Sequence, residues 1–332
     1  MRPRLLDAAA PKPLPPPRTP AALAEQLRRM ADSGALDLPL PGAGRTGDRW
    51  AALAALGRCD LALARLAEGH TDALAILAEA GRPAVPGALY GVWAARSGGT
   101  GATVAADRLT GTVRFCSGAT VLDRALVAAV SEDGKGRLFD VDLTRPAIRP
   151  DPESWQAIGM DASDSLDVRF SDMRLTPELA VGGPDWYLSR RGFRLGSGGV
   201  AAVWLGGTAG VLDSVLALLR ESTHVDPHQL AHLGALHAAV RAADALLGET
   251  ARFVDDQPDA NPDCAIRTAK SAVERAAWET RDRVPRITGP TPLCRDRGFP
   301  QRLADLEVYV RQHHAEKDLA ALGEAVLATE RR

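Results

Sequence analysis

Phe115, Cys116, Ser117 and Gly118 follow a predicted strand and end at a turn. Backbone amides at such a turn, with no side chain at Gly118 in the way, can approach the face of a flat cofactor or nucleotide. The Ser117 hydroxyl can then donate to a ring carbonyl. The same four residues also read as a buried Phe and Cys followed by a turn-forming Ser-Gly. Cys116 is a nucleophile by type, but no neighbour in sequence supplies the base that would generate its thiolate.

Histidines form the next group. His224, His228 and His232 recur every four residues, which places them on one helical face wherever the helix is continuous, and Pro227 weakens that for His224. No Glu-x-x-His pair accompanies them, so no metal is assigned. His70 has no partner at a useful spacing and is expected at an exposed helix end. In RLADLEVYVRQHHAEKDLAALG, His313 and His314 diverge by about 100° on a helix, so at most one faces a bundle interior. There it either exchanges protons near neutral pH or is satisfied by a carboxylate. Glu307 and Arg311 in the same stretch have the spacing and order of a surface ion pair.

Two glycine-rich stretches look like phosphate loops. Gly98, Gly99 and Gly101 lack the Gly-Lys-Ser/Thr ending and precede no long helix. Gly206, Gly207 and Gly210 accompany a helical Ala/Val pattern, where small residues allow close helix contact.

The elements that must position these groups divide by period. Residues 1–20 carry Pro11, Pro13, Pro15, Pro16, Pro17 and Pro20 and read as a proline-rich tail. Residues 21–87 are alanine-leucine segments with charges interspersed, giving two or three helices with breaks at 34–47, Gly69 and 81–87. Residues 88–180 hold short Val-, Thr- and Phe-containing runs, clearest at 166–170, where Leu166, Val168 and Phe170 alternate with Asp167 and Arg169. No long helix interrupts them, so an antiparallel sheet is expected. Residues 181–199 form a Gly-containing connection with Trp186, Tyr187 and Phe193. Residues 200–332 read as four long helices beginning near Val200, Pro227, Pro262 and Pro300, with Asp226 and Asn261 as N-caps: a four-helix bundle.

Composition bounds the partners. Forty Lys plus Arg against 42 Asp plus Glu give a net charge of −2, so bulk charge favours neither nucleic acid nor an anionic membrane. The four cysteines lack a Cys-x-x-Cys pair, consistent with reduced thiols in the cytoplasm. No apolar run reaches the length of a membrane span, and the prolines stand where a signal peptide has its apolar core. Abundant alanine with 5% aromatics favours broad helix contacts or subunit association.

With helices, sheet and bundle in this order, four segments resemble the acyl-CoA dehydrogenase superfamily. LTGTVRFCSGATVLDRALVAAV resembles its middle-domain signature, DVRFSDMRLTPELAVG its closing strand, PGALYGVWAAR its entering strand, and GVAAVWLGGTAGVLD its first bundle helix. The resemblance implies an α+β fold: N-terminal helices, a middle antiparallel β domain and a C-terminal four-helix bundle. It implies FAD between sheet and bundle, with Phe115, Cys116 and Ser117 at the isoalloxazine. It also implies a small-molecule substrate, an acyl-CoA thioester in many members, and a homodimer or homotetramer. The chain departs from the family at SGGTG (97–101), at RESTHVDPHQ (220–229) and in lacking a Glu-Gly-Thr-like element with its catalytic glutamate. An acyl-CoA dehydrogenase-like flavoprotein is the first expectation. The alternatives are a flavin monooxygenase, in whose relatives a late bundle histidine acts (here His313 or His314), and a degenerate scaffold.

Overall fold

A computed structural model describes residues 4–11 and 18–329; Pro13, Pro15, Pro16 and Pro17 of the expected tail lie outside the described residues. The first helix, α1 (Pro20–Asp32), starts with proline at its first position, where the missing amide costs nothing, and Thr19 Oγ1 accepts the Ala22 amide. Leu23, Leu27 and Met30 form its buried stripe. Two more helices, α2 (Thr46–Cys59) and α3 (Leu61–Glu79), follow with a break at Asp60, whose carboxylate caps the Leu63 amide. The break expected at Gly69 is absent, because α3 runs through it. His70 is buried, not exposed: its Nδ1 accepts the Tyr90 amide at 3.2 Å, and burial, assisted by the Arg28 charge, lowers its pKa to about 4.

Seven strands form one sheet: β1 (Tyr90–Trp93), β2 (Gly101–Ala105), β3 (Arg108–Cys116), β4 (Arg124–Ser131), β5 (Gly136–Asp142), β6 (Ile148–Asp151) and β7 (Leu166–Arg174). The sheet is mixed, which corrects the purely antiparallel expectation. Tyr90–Trp93 and then Ala102–Val104 lie one after the other along the same edge of β4, both parallel to it, and the other pairings are antiparallel. Gly98 and Gly99, both at positive φ, make the jog between them, so this glycine run interrupts a strand. The alternation at 166–170 holds, with Leu166, Val168 and Phe170 buried and Arg169 exposed. Pro150 hid β6 from the sequence reading; this strand pairs only with β7, on the sheet edge, where a missing amide is tolerated.

The remaining helices are α4 (Trp186–Ser189), α5 (Arg191–Glu221), α6 (Pro227–Asp256), α7 (Asp263–Thr288), α8 (Thr291–Arg295), α9 (Gly298–Tyr309) and α10 (Glu316–Thr329). Helix α5 absorbs much of the expected 181–199 connection. Asp226 caps α6 by accepting the His228 and Gln229 amides, while Gln229 Oε1 accepts the Asp226 amide. The single last helix expected from residue 300 is broken: Val310–Gln312 tightens into a 3-10 turn and Ala315 sits at φ 44°. The four-residue spacing therefore fails. Glu307 pairs with Arg281 at 3.0 Å, and Arg311 stacks on Trp278. His224 and His228 are exposed, while His232 Nδ1 meets Arg283.

Three features lock the layers together. Helix α5 is apolar and long enough to cross a membrane, yet 67% of its apolar window is buried inside the protein. It touches α2 backbone to backbone: a Cβ on Gly206 would fall on the Ala54 carbonyl, and one on Gly57 on the Val203 carbonyl. Arg18, just before α1, pairs with Asp60 (2.7 Å), Asp305 (2.8 Å) and Asp161 (3.0 Å), joining the α2–α3 junction, α9 and the loop before β7.

Candidate active site

The end of β3 carries a bulge. The pairing with β7 shifts register between Val113 and Cys116, and Phe115 between them adopts φ 58°. An extra residue in one strand re-aims its side chain. Phe115 accordingly turns outward, 47% exposed, with its ring edge-on to Trp155 at 6.5 Å. Cys116 turns the other way into the sheet core. Burial raises its thiol pKa, and Sγ donates to the Val113 carbonyl, so it is not a nucleophile.

Ser117 ends in a polar cluster. Its Oγ accepts from Arg65 Nε at 3.1 Å and lies 2.9 Å from Ser165 Oγ, which lies 2.8 Å from Ser163 Oγ. The Ser117 carbonyl accepts from Trp93 Nε1, and the Gly118 amide donates to the Ser163 carbonyl. Thus the three residues expected at one site occupy three environments: an exposed ring, a sealed thiol and a networked hydroxyl.

Helix α3 brings charge to this point. Arg65 is ion-paired with Glu68, and Asp72 one turn on accepts from Arg49 at 2.8 Å. Burial raises the Glu68 pKa to about 7; the Arg65 cation opposes the shift and the Asp72 charge adds to it. These residues were missed from sequence. The signal was there in LALARLAEGHTDALAILAE, where Arg65, Glu68 and Asp72 share one face of a mostly apolar helix.

A second wall comes from the bundle. Trp204 of α5 and Tyr309 of α9 meet edge to face at 6.3 Å, and Lys270 of α7 holds its Nζ 5.5 Å from the Trp204 ring centre. Burial raises the Tyr309 hydroxyl pKa, and the nearby Glu68 charge raises it further against Arg65. His313 is 5% exposed with Nε2 3.3 Å from Ser271 Oγ; His314 points to solvent beside Asp318. Burial lowers the His313 pKa, so the ring is neutral at neutral pH.

Three buried polar atoms on this wall have no hydrogen-bond partner: Trp204 Nε1, Tyr309 OH and His313 Nδ1. Leaving a buried polar group unmet costs about 1–3 kcal/mol. The indole and phenol are donors by type, and a flavin ring edge, rich in carbonyl and nitrogen acceptors, is a group whose chemistry would satisfy them. Beside His313 lies a cavity of about 370 Å³ reaching Phe193, Arg194 and Lys270.

No family model matches the chain. It is 29% identical over 170 residues to a dibenzothiophene monooxygenase of Rhodococcus erythropolis, in an alignment covering 44% of this chain; the chain spans 40% of that relative's length. Among solved structures it is similar to TdsC from Paenibacillus sp. A11-2 in complex with FMN and indole, with a TM-score of 0.78 and 19% identity over 93% of this chain and 96% of that one. It is also similar to the methanesulfinate monooxygenase MsuC from Pseudomonas fluorescens, with a TM-score of 0.77 and 20% identity over 95% and 97% of the two chains. The architecture is the acyl-CoA dehydrogenase-like one: N-terminal helices, a middle β domain and a C-terminal helical bundle.

Proposed function

We propose that this chain is a flavin-dependent monooxygenase acting on a small-molecule acceptor with reduced flavin and dioxygen. The observation that carries the reading is His313: late in the bundle, nearly buried, neutral, and with Nδ1 free to exchange a hydrogen bond with a ligand. The monooxygenases it resembles support this reading over acyl-CoA dehydrogenation. FMN replaces the FAD of the sequence reading, as in the TdsC complex.

Bound flavin supplies two electrons for splitting dioxygen, one atom going to the acceptor and the other leaving as water. The chain orients and excludes water. Ser117, Trp204 and Tyr309 would hold the ring through hydroxyl and indole donors, and Phe115 beside Trp155 offers an aromatic surface at its edge. His313, with Ser271 on Nε2, presents Nδ1 as the proton-handling atom on the acceptor side.

The test uses purified chain, FMN and a separate flavin reductase with NADH, with indole as the first acceptor and a panel of sulfur heterocycles beside it. Incorporation of one labelled oxygen atom into product is expected. His313→Asn should lower product formation at least a hundredfold while flavin affinity stays within about threefold. Absence of flavin uptake, or anaerobic bleaching of bound flavin by acyl-CoA, would overturn the reading.

A further inference from the structure

We infer that the cavity beside His313 receives an organic anion, a small apolar body bearing one carboxylate or sulfonate, with Arg194 as the residue that selects the charge. That this anion is the oxygen acceptor rests on the monooxygenase reading; that the cavity binds it does not.

The lining is unbalanced in charge. Arg267 pairs with Asp263 at 2.8 Å, and Lys270 pairs with Asp318 at 3.1 Å. Arg194 has no carboxylate partner among the described residues; its Nη1 reaches only Asn261 Oδ1 at 3.4 Å. One guanidinium is therefore left over in the lining, exposed and hydrated until an anion replaces the water. Arg194 lies in the first turn of the 31-residue α5, and Asp263 and Ile266 lie in the first turn of the 26-residue α7.

The rest of the lining differs in kind. Ser271 and the neutral His313 ring meet there, and His313 Nδ1 is buried without a partner. Phe193, 41% exposed and held edge-on by Tyr187 at 5.4 Å, lines the same cavity with Leu188 and Ile266. A volume of about 370 Å³ suits a mono- or bicyclic acid. One unpaired cation, apolar walls and a neutral imidazole describe a ligand with an apolar body held by its anionic group.

The experiment measures binding to the flavin-free chain by ligand-observed NMR, comparing benzoate with benzamide, indole-3-carboxylate with indole-3-carboxamide, and octanoate with octanamide. At least one acid should bind tenfold or more tightly than its amide. Arg194→Gln should bring that pair within threefold, while Arg191→Gln, an exposed cation on the same turn outside the cavity, should leave the preference intact. FMN affinity is titrated on all three proteins and should not change. No preference for any acid in the wild type, or a preference that survives Arg194→Gln, overturns the inference. Failure of FMN uptake with the preference intact would remove the monooxygenase reading and leave the anion site standing.

Discussion

Arg65 Nε donates to Ser117 Oγ across 3.1 Å, and that bond joins a helix of the first domain to the end of a sheet strand. Ser117→Ala would leave a buried guanidinium nitrogen unmet and leave Ser165 only its bond to Ser163. We expect FMN to bind about five- to tenfold more weakly, near 1 kcal/mol for a lost hydrogen bond, and melting to fall by a few degrees. Flavin fluorescence titration and thermal melting check both.

Glu68 makes stability fall as pH rises. Its pKa goes from an ordinary 4.5 to about 7 in the folded chain, so the folded form holds a proton that the unfolded form has lost between those values. Its contribution is complete below pH 4.5 and gone above about 7. Glu68→Gln should flatten the decline in melting temperature over that window, whatever it does to absolute stability.

His70 works in the opposite direction. Its pKa falls from 6.5 to about 4, so the unfolded chain binds the extra proton, and stability present above pH 6.5 is lost as pH drops toward 4. His70→Gln keeps an acceptor for the Tyr90 amide and should weaken the loss of stability in acid. Melts between pH 4 and 8 on both variants and the wild type separate the two slopes.

Arg18→Met would strand Asp60 and Asp305, both nearly buried, without their shared cation. Removing one partner of such a cluster costs about 3–5 kcal/mol. Urea denaturation should show a midpoint lowered accordingly.

Glycine positions on two helices make a paired test. Gly206→Ala would drive a methyl group into the Ala54 backbone, and because backbone cannot give way, a loss of about 3 kcal/mol or failure to fold is expected. Gly234 of α6 is exposed with open space around it, and Gly234→Ala should add about 0.5–1 kcal/mol. Denaturant titration of the two variants checks both signs.

Periodicity made most of the architecture legible. The alternation at Leu166–Phe170, the proline-led start of α6 and the small-residue face of α5 all stand as the local pattern implied. What escaped depends on contacts distant in sequence. Parallel pairing of β1 and β2 with β4 follows from a jog at two glycines, which local pattern cannot tell from a loop. His70 is buried because β1 happens to start against it. The Glu307–Arg311 spacing failed because the chain leaves the α-helix at Val310. At the site, the Phe115–Ser117 segment was found by its resemblance, whereas the three different directions of its side chains come from a bulge. Arg65, Glu68 and Tyr309 carried no motif; only the packing of α3 against α9 gives them a shared space.

The backbone contact of α2 with α5 at Gly57 and Gly206 has a mechanical consequence. With each main chain seated in the other, neither helix can slide or roll without collision, which anchors Trp204 relative to the first domain. Any breathing that admits a ligand must then come from the opposite margin, where short α4 precedes α5 and the chain kinks between His313 and Ala315.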